Sequence, residues 1–76
     1  MPALARFDDC VIYMYAADHP PPHFHIRMKD GREAMVRIGG LAPMLGEVAA
    51  QELGEPLAWA HRHAAFLKFK WRELNT

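Results

Sequence analysis

A chain of 76 residues, 51% hydrophobic and 24% charged, suits one small globular domain rather than a disordered segment, with folding hiding roughly 60% of the unfolded surface. Nine basic residues balance nine acidic ones, so the net charge is zero; the broad attraction behind nucleic-acid binding is missing, and only a local basic face is left to supply it. No apolar run approaches the ~20 residues of a bilayer span, Cys10 has no second cysteine to pair with, and Met1-Pro2 leads to Arg6, Asp8 and Asp9 without the apolar stretch of a secretory signal, so a reducing cytoplasm is expected.

No repeat or linker divides the chain, and residues 1–76 are expected to build a single core. Val11-Ile12-Tyr13-Met14-Tyr15 is an unbroken run of apolar and aromatic residues, which predicts a strand over about 10–16 that is covered on both faces or central in a small sheet. From 23 to 28 the pattern alternates, with Phe24, Ile26 and Met28 on one face and His23, His25 and Arg27 on the other. A second alternation predicts a strand over 32–38, with Ala34, Val36 and Ile38 opposed by Glu33, Met35 and Arg37. Asp30-Gly31 supplies the turn chemistry between them. A two-residue loop there would set the two apolar sets on opposite faces. A three-residue loop of Lys29, Asp30 and Gly31, with Gly31 in the left-handed bulge position, instead sets Ile26 against Ala34 and Phe24 against Val36. The reverse face then pairs His25 with Met35, Arg27 with Glu33 and His23 with Arg37.

Gly39-Gly40 and Pro43 break the alternation, and residues 41–45 read either as a short fourth strand or as an irregular return. Leu53, Leu57, Ala60, Ala64, Leu67, Trp71 and Leu74 then recur at spacings of four and three, the stripe of one amphipathic helix over about 49–74. Gly54 and Pro56 interrupt its start, and a kink or restart is expected near 54–56. Lys68, Lys70 and Arg72 suit the negative pole of the helix dipole. The expected fold is α+β, a small antiparallel sheet of three or four strands covered on one face by a long C-terminal helix, with the histidines on the other.

Residues 18–25 read Asp-His-Pro-Pro-Pro-His-Phe-His, three of the five histidines and half of the six prolines in eight positions. Imidazole is the commonest metal ligand and titrates near neutral pH, and consecutive prolines stiffen the backbone that carries it. His23 and His25 leave a strand on the same side about 6.6 Å apart, at ~3.3 Å per residue, close enough to share an ion. His19 would lie roughly 12 Å from His23 in extended polyproline, near the limit for a common ligand atom. Asp18 would complete the site or orient an imidazole. Asp18, His19, His23 and His25 are therefore the candidate ligands of a divalent metal such as zinc.

A second reading makes His23 and His25 an acid and a base, with Arg27 and Arg37 stabilising phosphate charge, in a small ribonuclease or metal-dependent hydrolase. The neutral net charge weighs against it. A third reading is structural, with turn chemistry at Asp18-His19-Pro20 and histidines bonding backbone carbonyls. Elsewhere, His61 and His63 lie on different faces of a helix as surface or packing residues, and Cys10 reads as a small buried hydrophobe. Tyr13 and Tyr15 share a strand face and either bracket the histidine loop or belong to the core. Phe66, Phe69 and Trp71, interleaved with Lys68 and Lys70, read better as a core helix with solvated lysines than as a nucleic-acid surface.

Met1-Pro2, Phe7, the run from Val11 to Tyr15 and above all Asp18-His19-x-Pro21-Pro22-His23-Phe24-His25 resemble a family of small bacterial proteins classed only as a domain of unknown function. The resemblance spans nearly the whole chain, and Trp59 and Trp71 sit where such proteins commonly carry helix tryptophans. Gly54-Glu55-Pro56 departs from the family, whose helix typically runs uninterrupted there. The resemblance implies one half of a two-gene unit, often beside another small domain of unknown function, and hence a toxin-antitoxin-like or regulatory pair with a small partner protein. The resulting expectation is a cytoplasmic regulatory or partner-binding module whose histidine cluster takes a metal or an anion. Whether it is an enzyme stays open at this point, and a thin core with an exposed sheet face makes a homodimer a candidate assembly.

Overall fold

A computed structural model describes residues 3–46 and 48–75, with Leu45 described in its backbone alone; Met1-Pro2 of the family-like pattern lie outside the described residues. Five strands, β1 (Ala3–Arg6), β2 (Cys10–Tyr13), β3 (His23–Met28), β4 (Glu33–Arg37) and β5 (Pro43–Gly46), form one antiparallel sheet in chain order. The sheet thus has more strands than the expected three or four. β1 is the addition: Ala-Leu-Ala-Arg carries neither β-branched residues nor an alternation, and pairing with β2 across a bulge makes it a strand. A tight turn at Asp8-Asp9 joins the two, closed by the Phe7 N–H on the Cys10 carbonyl at 2.8 Å.

β2 leaves the ladder at Tyr13, three residues before the expected end of the strand. Met14 is nevertheless fully buried, so the run continues into the core without continuing the pairing. The segment expected at 41–45 is a strand, displaced to Pro43–Gly46. Pro43 opens this edge strand, a position where the missing N–H costs no essential ladder bond.

The β3–β4 register follows from the three-residue loop. His23 stands opposite Arg37, Phe24 opposite Val36, His25 opposite Met35, Ile26 opposite Ala34 and Arg27 opposite Glu33. The Met28 carbonyl accepts the Gly31 N–H at 2.9 Å, the Met28 N–H reaches the Arg32 carbonyl at 2.7 Å, and Gly31 has φ +96°, the left-handed conformation that the bulge requires. One sheet face therefore presents Ile12, Phe24, Ile26 and Val36 together, all fully buried with Leu53, Ala60 and Leu67 from the helical layer. The alternation has done its work: a one-residue slip would turn this whole set outward.

The helical layer corrects the expectation of one long helix: the restart near 54–56 is present at Gly54, and a second break follows at His63. A 3-10 turn at Ala50–Leu53 leads into α1 (Gly54–Arg62), and α2 (Ala64–Leu74) follows after a break at His63. Pro56 falls in the first turn of α1, where N–H groups have no intrahelical partner, so it starts a helix rather than breaking one. At His63 the backbone opens to φ −118° and ψ 28° while the imidazole lies 4.5 Å from the Trp59 ring. Its N–H still bonds Trp59 and Ala60, and its carbonyl still accepts from Leu67, which keeps the apolar stripe in phase across the break. Among the described residues no helix is long and apolar enough to cross a membrane.

Candidate metal centre

His23 and His25 occupy the face of β3 turned away from the core, yet they are only 2% and 8% exposed. The β2–β3 loop and the end of α2 cover them. The Ala17 N–H bonds the Leu74 carbonyl at 3.2 Å, and the Asp18 N–H bonds Asn75 Oδ1 at 2.7 Å. Asn75 is itself anchored by its Nδ2, which donates to the Trp71 carbonyl at 2.9 Å. The loop, whose Pro20-Pro21 bond is cis, is thereby tied to the helix terminus, and this carries the Asp18 side chain onto the two imidazoles. The Trp71 ring packs 5.2 Å from that of His23, and the Tyr15 ring meets that of His25 edge-on at 4.4 Å.

Asp18 Oδ2 lies 2.9 Å from His23 Nε2 and 3.3 Å from His25 Nε2, and one donor atom from each of the three residues falls within 4.8 Å of the others. The His23 Nδ1–H donates to the Pro21 carbonyl at 2.8 Å, which turns Nε2 toward the Asp18 carboxylate. That Nε2 is buried and makes no hydrogen bond despite lying 2.9 Å from Asp18 Oδ2. The His25 Nε2–H donates to Asp18 Oδ2, while its buried Nδ1, 3.5 Å from Glu33 Oε1, makes no hydrogen bond. Burial alone would push the Asp18 carboxyl up. The hydrogen bond from His25, the His19 N–H at 2.9 Å and the charges of His23 and His25 outweigh it and hold the carboxyl below the usual carboxylate range.

The other residues singled out from the sequence lie apart from this trio. His19 is exposed, and only its backbone N–H engages Asp18. Arg27 is exposed, bonds Glu33 Oε2 through Nε at 3.3 Å and lies over the Tyr13 ring at 5.7 Å. Arg37, opposite His23 in the ladder, is exposed at the sheet end beside the prolines and α2. His61 is exposed on α1 and His63 at the break between the helices, and Cys10 is buried, its thiol pushed up by burial and by nearby Glu55 and Asp9.

Three contributors escape a reading of the sequence as a site. Glu33 is visible as a carboxylate on the histidine face, but not as a partner for an imidazole nitrogen. Trp71 belongs to the helical stripe and gives no sign that it walls the site. Asn75 is 57 residues from the aspartate it holds, and no local pattern announces it.

Comparison with curated proteins and with solved structures found no match. A family described as a domain of unknown function, DUF4160, matches residues 10–72, a span that includes Asp18, both buried histidines, Glu33 and Trp71. The match covers most of the 76 residues, and the chain belongs to that family.

Proposed function

We propose that this protein is a small cytoplasmic partner-binding module, one half of a toxin-antitoxin-like regulatory pair, whose Asp18, His23 and His25 together hold a divalent cation. The observation that carries the cation reading is the convergence of His23 Nε2 and His25 Nε2 on one carboxylate oxygen at 2.9 and 3.3 Å. Around a tetrahedral zinc with bonds of about 2.0–2.2 Å, neighbouring donor atoms stand roughly 3.4 Å apart; the two imidazole–carboxylate distances lie near that value, and the whole donor set falls within 4.8 Å. Ligating imidazoles usually give their other N–H to a carbonyl or carboxylate. The Pro21 carbonyl fills that role for His23, and Glu33 Oε1 is placed to fill it for His25 once the Nε2 proton is exchanged for the ion. Three protein donors leave a fourth position for water or for a group from the partner. Phe66 and Phe69, 41% and 58% exposed on α2, give such a partner apolar surface to cover.

The test is a pair of melting curves on metal-free protein, with and without zinc, beside Asp18→Asn and His25→Gln. Zinc at 100 times its Kd adds about 2.7 kcal/mol. For a domain of this size that is roughly 11–22 °C in Tm. The reading requires this rise in the parent protein and its loss in both variants; an unchanged parent melt in saturating zinc removes it.

A further inference from the structure

Beside the histidine site, Pro21, Pro22, Arg37, Lys68, Trp71 and Arg72 line an open cleft of about 430 Å³. That volume falls within the roughly 300–1,000 Å³ typical of small-ligand sites. Three cations meet here in a chain whose net charge is zero. Arg27, Arg32 and Lys70 each have a carboxylate partner; among the described residues Arg37, Lys68 and Arg72 have none, as is true of Arg6, Lys29 and Arg62, but the first three share one cleft. Lys68 and Arg72 stand one turn apart on α2, a like-charge spacing that costs a helix stability. The helix dipole offsets some of that cost near the C-terminus, but it gives no reason for Arg37 to arrive from β4 at the same cleft.

We propose that this cleft binds the phosphate group of a nucleotide. Arg37 and Arg72 offer planar guanidinium forks and Lys68 a mobile point charge, the donors that suit phosphate oxygens. The indole of Trp71 and the rings of Pro21 and Pro22 form an apolar wall on which a planar base can lie. An acidic peptide would satisfy the cations and leave that wall without a complement. The phosphate arrives either on a free nucleotide or in an RNA strand. The inference does not require the cation: Trp71 and Pro21 are shared with the histidine site, but none of the three basic residues belongs to the Asp18 cluster.

The experiment uses metal-free protein carrying Trp59→Phe, so that Trp71 is the sole indole reporter. Its fluorescence is titrated with adenosine monophosphate, tetra-adenylate RNA, adenosine and tetraglutamate. At least one of the two phosphate probes binds saturably and weakens with added salt. Adenosine and tetraglutamate bind at least about tenfold more weakly, and Lys68→Gln/Arg72→Gln, at exposed positions with an unchanged melt, loses about tenfold or more for the phosphate probe. Binding of the monophosphate alone identifies a free nucleotide as the source, and binding of the tetranucleotide alone identifies RNA. Failure of both phosphate probes, equal binding of tetraglutamate or adenosine, or full affinity in the double variant overturns the proposal.

Discussion

Replacing Asn75 with alanine isolates the link between the helix terminus and the site loop. Its Oδ1 accepts the Asp18 N–H at 2.7 Å, and its Nδ2 donates to the Trp71 carbonyl at 2.9 Å. Alanine removes both bonds and leaves a partly buried Asp18 N–H without its partner, while the Asn75 backbone N–H keeps its bonds to Trp71 and Arg72. At about 0.5–1.5 kcal/mol net for each bond, Asn75→Ala costs about 1–3 kcal/mol. A loss near 2 kcal/mol lowers Tm by roughly 8–16 °C in a domain of this size. Urea unfolding at 25 °C followed by far-ultraviolet circular dichroism measures the free energy directly, and a thermal melt checks it. Asn75→Asp is the control: it retains an acceptor for the Asp18 N–H but loses the donor to the Trp71 carbonyl, about 0.5–1.5 kcal/mol, and adds a negative charge at the helix C-terminus, a further cost of about 0.3–1 kcal/mol. A loss in Asn75→Ala below about 0.5 kcal/mol, the ordinary range of a surface change, would refute the claim that this residue ties the loop to α2.

Phe24 is fully buried at the centre of the sheet, and Phe24→Ala should cost about 3–5 kcal/mol. Against a total of about 4–11 kcal/mol expected for a chain of 76 residues, that removes from about a quarter to all of the stability, read as the fall in the urea midpoint. Gly46 has φ +146°, and a Cβ there would lie 2.7 Å from the Ala34 Cα and from the Glu33 carbonyl oxygen, so Gly46→Ala should destabilise by about 1–3 kcal/mol in urea; a neutral result would contradict the close approach of β5 to β4. Arg32 bridges Asp30 and Glu52 and holds both carboxyls below their usual range through hydrogen bonds. Because their folded pKa values are depressed, their contribution is present above the unfolded values and is lost as pH falls through the folded ones. Arg32→Gln should therefore lower the neutral-to-alkaline plateau and flatten the fall in that acid window, with the backbone N–H of residue 32 still holding part of the Asp30 shift.

What the sequence made legible follows its periodicities. Alternation in β3 and β4, with one glycine able to adopt a left-handed turn, was sufficient to derive the pairing of His23 with Arg37 and of His25 with Met35. The four-three stripe gave the buried side of the helices, because the backbone bonds spanning His63 keep it in phase. β1 carries no such signal, since its strand character comes from its neighbour, and the break at His63 leaves no mark on a pattern that it does not shift. The site divides the same way. The cluster of Asp18, His23 and His25 was readable from a local motif, and the exclusion of His19 from it was not, because the path of the prolines is set by tertiary contacts. Burial of the two histidines depends on Trp71 and on a loop tied down by Asn75, residues remote in sequence from the strand they cover.

The most direct test of the cation reading is a long-range 1H–15N spectrum of the histidine rings in metal-free protein, recorded before and after one equivalent of cadmium-113. His23 should begin with its proton on Nδ1, held by the Pro21 carbonyl, and both His23 and His25 should then show cadmium coupling at Nε2. A His23 ring protonated at Nε2 instead of Nδ1, or ring nitrogens unmoved by the metal, would contradict the account.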